Sequence, residues 1–387
     1  MKHLKFKGLA TNCCGTGGTV KNNNINHIQC IVPPHMLREI TEHGSPTQKE
    51  WALKTLIVSE QFRGHRQATA EATALLKTKA IAKKQQIIYD AKFGSDLPGQ
   101  KVRETGDAPT KDNAVDEAYD GSQATYKLYR EVYERDSLDG KGMCLESTVH
   151  YKKGYDNAFW NGEQMVYGDG DEDLSESDRI FNRFTIAIDI IGHELTHGVT
   201  QHEARLVYWD QPGALNESFS DVFGTLVKQR TLNQEVDEAD WLIGAGLFTD
   251  NVKGQGIRSM EAPGTAYNDS VLGKDPQPAH MRDYKDVIYD NGGVHINSGI
   301  PNRAFYLAAK EIGGYAWEKT GLIWYVTLRD RLGVRSDFQD AARLTFKVAG
   351  DLFGSGGIEQ EAVSKSWSKV GISIKEEKKR IWCLPGK

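Results

Sequence analysis

The pentapeptide His193-Glu194-Leu195-Thr196-His197 constrains this chain more than any other feature. It follows an apolar run, Phe184 to Gly192, whose period predicts a buried helix. Histidines at i and i+4 sit one turn apart on one helical face, where two imidazoles can bind a single zinc ion. Glu194 projects about 100° away, within reach of a water on that metal without being forced to ligate it. The competing reading is an exposed helical turn carrying two unrelated histidines, and rejecting it needs evidence from elsewhere in the chain.

That evidence lies downstream. Pro212-Gly213 opens a second predicted helix running to Gly224 and beyond. Glu217 comes 20 residues after His197 (217 − 197), which leaves room for a loop and a return beside the first helix. Glu217 and Asp221 form an i, i+4 pair on one face. One carboxylate can complete a His2Glu set with a fourth position left for water, and the other can take the remaining ring N–H of a ligand histidine. Charged helical residues usually make a solvated face, but this helix is otherwise apolar. A third cluster runs from Asp290 to Gly299. Its Asn291-Gly292-Gly293 is turn chemistry that delivers His295 to the mouth of an apolar helix from about Ala304. A histidine beside an aspartate that can orient it suits transition-state stabilisation.

Three motifs in this order and spacing resemble the thermolysin family of zinc metalloendopeptidases, from about Tyr89 to the C-terminus. Asn157-Ala158-Phe159-Trp160-Asn161-Gly162 and Met165-Val166-Tyr167-Gly168-Asp169-Gly170 resemble the family's substrate-binding edge. The resemblance implies zinc ligands His193, His197 and Glu217, with Glu194 as general base and then acid. It places Tyr208 and His295 on the oxyanion, and Asp221 and Asp290 as orienters of the histidines. Asn157, Ala158 and Arg258 would bind the extended substrate. Phe181, Phe184, Ile190, Ile243, Leu247 and Ile257 align with the apolar pocket for the residue after the cut, so a hydrophobic residue is expected there.

Residues 1–84 carry 13 Lys+Arg against 5 Glu and no Asp, a net of +8; the remainder carries 35 against 48, a net of −13. A basic leader beside an acidic body predicts electrostatic docking. A solvated tail would have little use for Trp51, Leu53, Leu56, Ile57 and Phe62. With Cys30-x-x-Pro33-Pro34, this leader resembles the short propeptide of protealysin-like members, acting on its own enzyme in cis. Residues 64–84, rich in Ala, Thr and Lys, read as the linker that is cut. Cys30 is a candidate to approach the zinc as a thiolate, the alternative being a small buried thiol.

The expected fold is α+β, a two-lobed thermolysin-like zincin preceded by a short propeptide. Residues 1–84 would be propeptide and linker, 85–205 a β-rich N-terminal lobe ending on the HExxH helix, and 206–387 a mainly α-helical lobe. At 387 residues and 39% hydrophobic the chain can bury two cores. Neither a membrane span nor a secretory h-region is read, so the expected location is cytoplasmic, or outside by an unconventional route. Cys13, Cys14, Cys30, Cys144 and Cys383 do not form a disulfide framework. A monomer acting on peptide or protein, with no nucleic-acid or membrane partner, is expected.

Two departures from the family concern calcium. Asp189 and Asp240 keep positions of a double calcium site, but Lys228 and Ala245 stand where glutamates are expected. Phe248 and Gln255 interrupt a second site. Calcium needs six to eight oxygens and an ammonium supplies none, so calcium dependence is not carried over. A zinc aminopeptidase would need an acidic anchor for a free amine, which the Asn157–Ala158 edge and Arg258 do not resemble. A catalytically dead binding module would have lost Glu194 or His295; both are present.

Overall fold

In a computed structural model, residues 29–73 and 85–374 are described, with the side chains of Gln29 and 61–73 left aside. Cys13, Cys14, Cys383, the lysines at 2, 5 and 7, and the 74–84 part of the expected linker lie outside the described residues. The chain opens on strand β1 (Gln29–Cys30), then helices α1 (Pro34–His43) and α2 (Pro46–Thr73). Pro33 is extended and Pro34 is the first helical residue, where the missing N–H costs nothing. Gly44 ends α1, its N–H returning to the Ile40 carbonyl. Because α2 runs to Thr73, about the first half of the expected linker is helical.

The body begins with β2 (Gln86–Asp90), β3 (Gln100–Glu104) and α3 (Asn113–Lys127), followed by β4 (Leu145–Val149), β5 (Ala158–Trp160) and β6 (Met165–Tyr167). These form one mixed sheet in the order β1-β5-β6-β4-β2-β3. Strand β1 pairs antiparallel with β5, so it covers an edge that the body would otherwise leave open. Next come α4 (Ile188–His202) and α5 (Asp210–Leu232). Phe184–Ile186 is a separate 3-10 turn, so the expected helix starts later than its apolar run. Pro212 lies inside the first turn of α5, where proline is tolerated, and the helix therefore starts ahead of it.

Two short strands, β7 (Leu242–Ile243) and β8 (Arg258–Ser259), precede α6 (Asp290–Asn297), α7 (Gly299–Ile312), α8 (Thr320–Asp330), α9 (Phe338–Phe353) and α10 (Ile358–Lys369). Helix α7 starts at Gly299, earlier than expected, because Pro301 also sits in a first turn. Asp337 caps α9 by accepting from the Asp340 N–H. The architecture is a β-rich lobe ending on the HExxH helix, and a mainly helical lobe. Its apolar interior is one continuous cluster across both lobes rather than two cores, plus a small satellite of Cys30, Val58, Tyr151, Tyr155, Phe159 and Val166. Among the described residues, no helix is long and apolar enough to cross a membrane.

Helices α4 and α5 approach through two glycines. A Cβ on Gly224 would lie 2.4 Å from the Asp189 carbonyl oxygen, and one on Gly192 would lie 3.1 Å from the Gly224 Cα. Only glycine permits that spacing, and it places Glu217 against the HExxH face.

Candidate active site

His193 and His197 are fully buried on α4, with their Nε2 atoms 3.0 Å apart. Each Nδ1 is held from behind. That of His193 meets Asp221 Oδ1 at 2.8 Å; that of His197 meets Asn216 Oδ1 at 2.8 Å and Ser220 Oγ at 2.9 Å. Both Nε2 atoms therefore point into one small volume. Glu217 enters it from α5, with an oxygen 3.5 Å from each Nε2. The three candidate ligand atoms lie within 4.8 Å of one another, and Glu217 Oε2 is buried without a hydrogen-bond partner among the described residues. Three inward-facing donors plus an unsatisfied buried carboxylate oxygen fit a zinc ion.

Asp221 also takes Arg258, whose Nε and Nη2 donate at 2.8 and 2.7 Å, and Asn302 Nδ2 at 2.8 Å. Burial alone would raise its carboxyl, but Arg258 and His193 outweigh it and hold Asp221 well below the usual carboxylate range. Asp221 thus stays an anion behind His193. Asn216, Ser220 and Asn302 were not anticipated. Asn216 and Ser220 are an i, i+4 pair, so their common face with Asp221's turn was legible in principle.

Glu194 lies beside the histidines. Its Oε2 accepts the Trp160 N–H at 3.0 Å, and Oε1 has no partner among the described residues. Burial, and then the Glu217 charge, push its pKa well up. Tyr208 donates its hydroxyl to Glu217 and lies 3.2 Å from His295 Nε2. His295 is delivered by α6, which opens on four residues with positive φ, Asp290 at 53°, Asn291 at 51°, Gly292 at 81° and Gly293 at 78°. That left-handed turn folds Asp290 back, so Oδ1 meets His295 Nδ1 at 2.5 Å and Oδ2 accepts the His295 N–H at 3.0 Å. Burial lowers the His295 pKa, but Asp290 and Glu217 overcome it and raise the net value.

The cleft holds the chain's own N-terminal segment. The Ile31 N–H donates to Ala158 O at 3.2 Å, and the Ile31 carbonyl accepts from Arg258 Nη1 at 3.2 Å. Asn157 reads Val32 twice, Oδ1 accepting its N–H at 3.0 Å and Nδ2 donating to its carbonyl at 3.3 Å. The Cys30 carbonyl lies 3.1 Å from His295 Nε2. His295 is thus held between Asp290 at Nδ1 and this carbonyl and Tyr208 at Nε2. The Cys30 thiol does not join the three-ligand group; it faces Ser59 Oγ at 4.0 Å within the satellite cluster, which is the small-buried-thiol alternative. Phe181, Phe184, Ile190, Ile243, Leu247 and Ile257 are all buried in the apolar cluster that also contains Ile31.

Away from the cleft, Lys228 Nζ lies 3.2 Å from Asp189 Oδ2, 2.9 Å from Asp240 Oδ1 and 3.2 Å from the Leu242 carbonyl. An ammonium thus sits among the oxygens of the expected calcium position.

Residues 55–201 match the family model described as thermolysin metallopeptidase, catalytic domain, and residues 204–372 that of thermolysin metallopeptidase, alpha-helical domain. An extracellular metalloprotease of Pectobacterium carotovorum subsp. carotovorum is 47% identical over 90% of this chain and 97% of its own length. An extracellular minor metalloprotease of Serratia marcescens is 41% identical, covering 80% of this chain and 86% of the relative. The solved precursor of protealysin, a metalloproteinase from Serratia proteamaculans, superposes with a TM-score of 0.79. It is 52% identical, covering 89% of this chain and all of that one. The expected cytoplasmic or unconventional location is overturned by these relatives, two of which are named as extracellular proteases.

Proposed function

Because the chain belongs to the thermolysin family of zinc metalloendopeptidases, in its protealysin-like group, we propose that it is the precursor of a secreted endopeptidase whose N-terminal segment inhibits it and is removed by its own activity. One observation carries this reading: residues 30–32 engage His295, Ala158, Arg258 and Asn157 through backbone atoms, as an extended substrate would. In this reading 1–84 is propeptide and cleavage linker, 85–205 the first catalytic lobe and 206–387 the second. The enzyme acts as a monomer on peptides and proteins.

His193, His197 and Glu217 would hold the zinc, and the buried Asp221 and the Asn216–Ser220 pair fix the ring orientations. When bound, zinc acidifies a water and polarises the scissile carbonyl. Glu194 Oε1 takes the proton of the attacking water and passes it to the leaving amine. Glu194 suits that exchange by position, with one oxygen held by the Trp160 N–H and the other left without a partner among the described residues. His295 and Tyr208 donate to the oxygen that becomes negative, a contribution of about 3 kcal/mol for each such donor. Arg258 and Asn157 fix the two residues beyond the cut, and the apolar pocket selects a hydrophobic side chain directly after it. Lys228 supplies in a covalent side chain the positive charge that calcium supplies in other members.

The test is to express the full chain with Glu194→Ala. The variant should remain full-length and bind zinc. The unmutated chain should shorten by roughly 8–9 kDa, taking about 80 residues at ordinary composition, and gain activity on an internally quenched peptide as it does. Full activity in an uncut precursor would refute the inhibitory role.

A further inference from the structure

We propose that the Cys30–Ile31 peptide bond is itself a cleavage site, hydrolysed by this active centre while the propeptide is still seated. The inference rests on the endopeptidase reading above and adds a register to it. Strand β1 runs antiparallel to β5, with Gln29 opposite Trp160 and Cys30 opposite Phe159. The next residue, Ile31, is completely buried in the main apolar cluster, whereas Cys30 turns to the satellite. That alternation is the period of an extended strand, and it sends Ile31 to the side where a residue after the cut belongs.

From the Cys30 carbonyl to the Val32 carbonyl, each polar backbone atom has a partner. The Cys30 carbonyl faces His295 Nε2 at 3.1 Å, the group that would stabilise its developing charge. The Ile31 N–H is bonded to Ala158 O at 3.2 Å, which fixes the nitrogen that would receive a proton on leaving. The Ile31 carbonyl is on Arg258, and Val32 is held at both ends by Asn157. A shift of one residue would move each of these partners onto the wrong atom and turn Ile31 away from the pocket.

The step balances as a simple hydrolysis. The hydroxyl of water adds to the Cys30 carbonyl carbon, the C–N bond breaks, and a proton goes to the Ile31 nitrogen. A Cys30 carboxylate and an Ile31 amine result. The product stays in the cleft, because Pro33 leads straight into α1, whose Met36, Leu37 and Ile40 are 0–1% exposed. This cut therefore does not by itself free the enzyme; departure of α1 and α2 does.

The experiment follows the purified, zinc-loaded full chain over time by intact mass and N-terminal sequencing. A polypeptide beginning Ile31-Val32-Pro33-Pro34 should appear before activity on a quenched peptide does, and should be missing from the Glu194→Ala chain. Ile31→Ala should slow this cut about ten- to a hundredfold by removing apolar contact with the pocket, without slowing turnover of the quenched peptide by the matured enzyme. A synthetic peptide of residues 25–40 offered to that enzyme gives a second reading, independent of how the variant folds, and should be cut at the same bond. Activation with turnover of the quenched peptide, but with neither the Ile31 terminus nor cleavage of the synthetic peptide, overturns the inference and leaves the endopeptidase reading intact. Absence of hydrolysis on every substrate overturns both.

Discussion

At the scale of single residues, the two buried glutamates of the candidate site differ in what they face. Glu194 has one oxygen on the Trp160 N–H and one without a partner among the described residues, whereas Glu217 faces both imidazoles. Glu194→Ala should keep stoichiometric zinc and lose about 10²–10⁴ in kcat, the usual contribution of a positioned general base. Glu217→Ala should lose the metal on dialysis, read by elemental analysis, because two histidines alone form an incomplete set. Retained turnover in a zinc-bound Glu194→Ala enzyme would remove Glu194 from the mechanism. Asp221 deserves the same treatment: Asp221→Asn should weaken zinc about 10–100-fold, the ordinary cost of losing the group behind a ligand histidine.

Among the elements, α1 and the α4–α5 pair matter most. His35 on α1 is partly buried beside Tyr267, and burial, against the partial help of Asp290, lowers its pKa from 6.5 to about 4. A histidine depressed in the folded state binds fewer protons folded than unfolded. Its contribution is therefore complete above pH 6.5 and is lost as pH falls toward about 4. In a Glu194→Ala background, which keeps the precursor whole, acidification across that window should destabilise the chain by about 2 kcal/mol more than it does His35→Gln. Thermal midpoints at pH 7 and pH 4 measure this, and equal falls in the two proteins would exclude His35. Gly224→Ala tests the α4–α5 contact. Its Cβ would strike backbone, so overpacking should cost about 1–3 kcal/mol and push Glu217 away from the histidines. Zinc affinity should fall along with the thermal midpoint.

For the whole molecule, calcium is the question, because the half-buried Lys228 ammonium sits among oxygens of the position where the family resemblance expects that ion. Lys228 with Asp189 and Asp240 bridges α4, α5 and the loop before β7. A calcium-selective chelator should shift the thermal midpoint by less than about 1 °C, since about 1 kcal/mol moves it roughly 2–4 °C in chains of about 150–250 residues and less in longer ones. A large drop reversed by calcium would show that other oxygens rebuild an ion site. The single apolar cluster spanning both lobes also predicts one cooperative unfolding transition for the Glu194→Ala precursor, observable by calorimetry. Two separated transitions would mean that the lobes melt independently.

Local periodicity and spacing determined the elements that depend on near neighbours. Asp337 caps α9 from its own first turn, and the HExxH spacing alone puts two imidazoles on one face. Helices α5 and α7 start ahead of Pro212 and Pro301, because a proline inside a first turn does not break a helix. What the tertiary structure decided is everything that joins distant segments. The packing of Gly192 on Gly224, so close that a Cβ on the first would lie 3.1 Å from the Cα of the second, sets how close Glu217 comes. Asn302, 81 residues from Asp221, completes its anchoring, and Ile31 reaches Arg258 across 227 residues. The Cys30 thiol lies in the satellite cluster and not among the candidate ligands because β1 pairs with β5 in one register, and a strand sends successive side chains to opposite faces. Sequence spacing fixes which side chains share a helix turn; it carries no information about which strand edge will be covered, because that choice is made by burial shared among segments hundreds of residues apart.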